Sequence, residues 1–89
     1  MNAAFIAIRA AADAARRAQA ATTKAQAAAL REASGDWSIL ADLILCGARL
    51  PKAWVRQHAL QADMVAARAG EFAPPAREDE IIAALFPRR

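Results

Sequence analysis

The sequence predicts an all-α fold, a small bundle of about four helices led by a long Ala-rich N-terminal helix, and three observations predict it. Ala fills 28 of 89 positions, while Val occurs only at 55 and 65 and Tyr is absent; Ala is the best helix former and a poor strand residue. The three glycines, at 35, 47 and 70, punctuate the chain between segments of helical character. Within those segments the apolar residues recur at spacings of three and four, the helical period. Length adds a bound: 89 residues suffice for one core and not for two, so residues 1–89 form a single helical domain. That core is modest, because beside the 28 Ala only 23 larger apolar residues are present.

From about residue 2 to 33 there is neither Pro nor Gly, and the spacing predicts one continuous helix. Ala3, Ala7, Ala10, Ala14, Ala18, Ala21, Ala25 and Ala28 form a seam at the helical period made of Ala alone. Such a seam buries little area, but it lets a second helix approach toward the short end of the usual range of about 8–10 Å between axes. Ser34, Gly35 and Asp36 read as the break, with Gly35 suited to the left-handed residue that ends a helix. A core helical hairpin follows over about 36–70. Its first helix, Trp37 to Cys46, is apolar almost all round, leaving Ser38 and Asp42 as its polar strip. Gly47 ends it and Pro51 opens the next, which runs to about Ala69. That helix has apolar surface on two sides: Trp54, Val55, His58, Ala62, Val65 and Ala69 on one, Ala53, Leu60, Met64 and Ala67 on the other. Trp37, Leu40, Leu43, Ile44, Trp54, Val55 and Val65 are the expected core. A connector containing Pro74 and Pro75 leads to a short last helix within 71–86, with Glu78, Asp79 and Glu80 in its dipole-favoured first turn and Ile81, Ile82, Leu85 and Phe86 on its apolar side.

Composition argues against several function classes. One Cys, at 46, makes no internal disulfide, and with one His it builds no four-ligand zinc site; a reducing cytoplasm is the expected setting. Charges interrupt every apolar run short of the ~18 residues of a membrane span. Met1 to Ala33 is Arg-bearing and acid-poor, as transit peptides are, but the same Ala bias continues to residue 84, so it reads as mature structure from a GC-rich bacterial or phage coding sequence. Cys46 and His58 are the single pair suggesting nucleophilic chemistry; Cys46 ends an apolar helix and His58 has no evident orienting acid, so both read as core residues. Consecutive acids at 78–80 splay on a helix rather than forming an acid/base pair. The sequence therefore predicts no catalytic residue, no cofactor, no metal and no small-molecule substrate.

What remains is binding. The net charge is +3, with five positive and two negative side chains in residues 1–35, a mild bias rather than a polycationic arm. The apolar faces outnumber what one small core requires, so Ala14, Ala18, Leu60, Met64, Ile82, Leu85 and Phe86 are the candidate contacts to another protein or to a second copy. The expected function is a non-enzymatic protein-protein interaction module: a regulator, inhibitor or assembly factor. The alternative is a helix-turn-helix DNA-binding regulator presenting Arg49, Lys52, Arg56 and Gln57. Its spacing is poor: counting from Gly47 as the turn glycine, the site for a buried β-branched residue is Ala53, and Val55 comes two places late.

Overall fold

The Ala-rich first third of the chain folds back on itself. The computed structural model describes residues 2–88, with α1 at Ala3–Ala20, α2 at Lys24–Leu45, α3 at Lys52–Ala67, a 3-10 turn at Gly70–Phe72 and α4 at Glu78–Leu85. The all-α bundle of four helices is as expected, but the continuous helix over 2–33 is replaced by a hairpin of α1 and α2. The cause is a capping box. The Thr23 hydroxyl accepts from the Gln26 N–H at 3.1 Å, and the Gln26 side-chain oxygen accepts from the Thr23 N–H at 3.2 Å. These bonds satisfy donors that a helix start otherwise leaves unpaired, and Ala21 is extended at ψ 140°.

The expected break at Ser34–Gly35–Asp36 is likewise absent, since α2 runs straight through it. Gly inside a helix costs about 1 kcal/mol relative to Ala. That is outweighed by the burial of Leu30, Ala33, Trp37 and Leu40 on both sides of it, large apolar side chains contributing about 1.5–3 kcal/mol each. Ser34 spends its hydroxyl on the neighbour, donating to the Ala11 carbonyl of α1 at 2.9 Å.

The seam divides at the turn. Ala3, Ala7, Ala10, Ala14 and Ala18 are buried, whereas Ala21 is half-buried and Ala25 and Ala28 are exposed. Past Thr23 the inward face of α2 is carried by Ala27, Leu30, Ala33, Trp37, Leu40 and Ala41 instead. The core is a thin column along a bundle of 43 × 21 × 20 Å. At one end Ile6, Trp37, Leu40, Val55 and Ile81 supply bulk; the middle is Ala14, Ala29, Ala33 and Ala66 with Val65; the far end is Leu30 with Ala18 and Ala69, flanked by Phe72. Of the expected core, Trp37, Leu40, Val55 and Val65 are buried, Leu43 and Ile44 are half-buried, and Trp54 is exposed.

α2 ends as its glycine predicts. Gly47 has φ 77°, its N–H reaches the Ile44 carbonyl at 3.1 Å, and the Ala48 N–H reaches Leu43 at 3.1 Å, the double bond of a Schellman motif. The last helix is held by polar contacts. Arg77, at the start of α4, offers no capping side chain; Asp63 of α3 does this from a distance, its carboxylate accepting from the N–H of Arg77 at 2.9 Å and of Glu78 at 2.9 Å. The Arg77 guanidinium donates to Asp13 of α1 and to Glu80, both at 3.1 Å. Arg17 of α1 donates to the carbonyl of Ala73 at 3.0 Å, pinning the connector.

Two outcomes are expected from this architecture. A methyl group added at Gly35 meets nothing within 4 Å, so Gly35→Ala should stabilise the protein by about 0.5–1 kcal/mol in thermal or urea denaturation; a destabilised variant would contradict a continuous α2. Asp63→Ala should cost about 0.5–2 kcal/mol, the range for a lost cap. Burial pushes the Asp63 carboxyl up from its ordinary 3.8, and the N–H groups of Glu78 and Arg77 pull it only part of the way back. A carboxyl raised in the native state holds its proton more tightly when folded, so its contribution is complete below the unfolded value and is lost as pH rises through the native one. The penalty of Asp63→Ala should therefore be larger near pH 4 than at neutral pH, and a smaller penalty there would reverse the sign.

Candidate interaction face

α3 buries Val55, Ala59, Ala62, Val65 and Ala66 against the other helices. Its remaining surface is a contiguous exposed arc, about 160° wide at 100° per residue, carrying Trp54, Arg56, Gln57, Leu60, Gln61, Met64 and Arg68. The one acid of this helix, Asp63, is turned away to cap α4. Three large apolar side chains on the arc are markedly open: Met64 at 62%, Leu60 at 42% and Trp54 at 40%.

The face is ordered at its α2 edge. The Trp54 and His58 rings stack with centroids 4.9 Å apart and planes 15° from parallel. His58 Nε2 lies 3.0 Å from the Asp36 carbonyl oxygen; since a carbonyl only accepts, this nitrogen carries the proton. Stacking and hydrogen bond together fix the indole across the gap between α2 and α3. Two hollows flank the arc and share Gln57 and Gln61 as a common wall. One, of 390 Å³, is bounded by Leu60, Met64 and Arg68 with Glu32 of α2 opposite; the other, of 210 Å³, lies against Trp54 and His58.

The sequence-predicted contact residues separate into three groups. Leu60 and Met64 stand together on the open face. Ala14 and Ala18 are buried, their surface consumed by α2 of the same chain, and Ile82 is buried with Ile81 in the core; these three offer no surface to a partner. Leu85 and Phe86 are half-buried at the edge of that core. Trp54, Gln61 and Arg68 belong to the face, although the sequence predicts Trp54 in the core.

Arg49, Lys52, Arg56 and Gln57 are all exposed, but they make no single cationic edge. Arg56 is paired with Glu78 at 3.1 Å and lies 3.9 Å from Asp79, and Gln57 belongs to the wall beside Leu60. Residues 46–51 join α2 to α3, six residues where a helix-turn-helix uses three or four. Cys46 is exposed rather than buried, because it falls at the C-cap beyond the packed part of α2, and its thiol donates to the Leu43 carbonyl at 3.3 Å. His58 is engaged with Asp36 instead. Among the described residues no group of three or more His, Cys, Asp or Glu side chains is placed to hold a metal ion, and no helix is long and apolar enough to cross a membrane.

Compared with family models, with curated proteins and with solved structures, the chain matches none.

Proposed function

We propose that the protein is a non-enzymatic interaction module that binds another protein through the open face of α3, acting in the cytoplasm as a regulator, inhibitor or assembly factor. The observation that carries this reading is the exposure of Trp54, Leu60 and Met64 on one arc of α3, in a chain that has few large apolar residues to spend. Aromatic residues, Met and Arg are the types enriched where proteins meet, and Lys, Asp and Glu are depleted there; the arc carries Trp54, Met64, Arg56 and Arg68 and no acid. Leu60 and Met64 stand one turn apart, the spacing with which a helix presents anchors to a partner. Gln57 and Gln61 between them donate and accept hydrogen bonds without the desolvation cost of a charge.

Self-association through the same face is part of this reading. DNA binding is the weaker alternative, since Glu78 and Asp79 stand beside Arg56 where a phosphate would have to lie.

The test compares Leu60→Asp and Met64→Asp with the triple variant Arg49→Ala, Lys52→Ala, Arg56→Ala in pull-downs from nuclease-treated source cells. Both aspartate variants should melt within about 0.5 kcal/mol of the parent, as exposed substitutions do, yet lose the bound protein, while the triple variant keeps it. Tight duplex binding at physiological salt, abolished in the triple variant and unaffected by the aspartates, would overturn the reading.

A further inference from the structure

A hollow of 410 Å³ lies on another side of the bundle, between the start of α3 and the end of α4. Its apolar lining is Phe86, Pro87, Ala83 and the edge of buried Ile82, and its polar lining is Lys52, Arg56 and Arg88 with Asp79 as the one acid. Glu78 offsets Arg56 from outside at 3.1 Å. Three cations against these two carboxylates leave the site one positive charge in excess, and Asp79 stands fully out in solvent, 3.9 Å from the Arg56 guanidinium. An apolar floor next to a cationic rim matches one kind of ligand: an apolar body that ends in an anion.

We infer that this hollow receives the C-terminal tail of a partner protein, an apolar last residue on Phe86 and Pro87 with its α-carboxylate between Lys52 and Arg88, Arg56 being held by Glu78. In a peptide C-terminus the carboxylate and the last side chain branch from one carbon, so both fall within a small site. The fork of an Arg matches a carboxylate through two parallel N–H donors, and Lys adds a point charge. The hollow is partly open to solvent, whereas sites for free small molecules enclose about 70–90% of the ligand surface. A ligand that enters by its end and continues into solvent fits that shape, and capture of a terminal carboxylate is a recurrent mode of peptide recognition. The site meets the α3 arc only at Arg56 and does not depend on Leu60 or Met64.

The test is fluorescence anisotropy with an N-terminally labelled peptide ending in two leucines, used with a free C-terminal carboxylate and as the C-terminal amide. The acid should bind the intact protein, and the amide should bind at least about tenfold more weakly. The double variant Lys52→Ala, Arg88→Ala changes only exposed side chains; it should weaken the acid by a similar factor while melting as the parent does. Met64→Asp should bind the peptide unchanged, which distinguishes failure here from failure of the α3 face. Equal affinity for acid and amide, absence of binding, or full competition by octanoate at the peptide's own concentration would each overturn the inference, the last by showing a site for free apolar acids.

Discussion

The close packing of α1 on α2 through Ala is the constraint on which the rest depends. Ala supplies 15 of the 23 buried apolar residues among the described residues, each removing far less area from water than a Leu or Ile. A core of this kind holds only when backbones come near enough for dispersion contacts along their whole length. Ser34 shows how near they come: its short side chain on α2 reaches a main-chain carbonyl of α1 at 2.9 Å. Larger side chains gather toward the ends, Trp37, Ile6, Leu40 and Val55 at one and Leu30 at the other.

This arrangement determines what is left for the surface. α3 covers the hairpin with Val55, Ala59, Ala62, Val65 and Ala66, and α4 closes one end with Ile81 and Ile82. So short a helix packs through few residues, and the polar links from Asp63, Asp13 and Arg17 to Arg77, Glu78 and the connector hold it in place. No further helix remains to cover the outer arc of α3, so Trp54, Leu60 and Met64 stay in solvent. The same helix thus closes the core with small residues and exposes its large ones.

Much of the fold was legible from local chemistry. Ala content and periodicity predicted the class, Gly47 and Pro51 bracketed the connection between α2 and α3, and the acids at 78–80 marked the start of α4. By local preference Gly35 reads as a helix break, yet α2 continues through it and the break falls at Ala21–Thr23. Tertiary burial of Ala33 and Trp37 overrides that local preference, while the Thr23 to Gln26 capping box is easily passed over in an Ala-rich stretch. Leu60 and Met64 were legible as a second stripe that one core leaves over. Trp54 was not, because hydrophobicity alone does not say which faces a four-helix chain has enough neighbours to cover. The capping of α4 by Asp63, fourteen residues from Arg77, has no local signature at all.

The most direct test of the central claim compares two members of the Ala seam by chemical denaturation. Ala14 of α1 is fully buried against Ala29 and Ala33 of α2 and Val65 and Ala66 of α3, and Ala28, in the same periodic series, is exposed beyond the turn. Ala14→Leu should destabilise by about 1–3 kcal/mol through overpacking, while Ala28→Leu should stay within about 0.5 kcal/mol of the parent. Equal effects at the two positions, or a penalty at Ala28 alone, would contradict a fold built on close contact between these two helices.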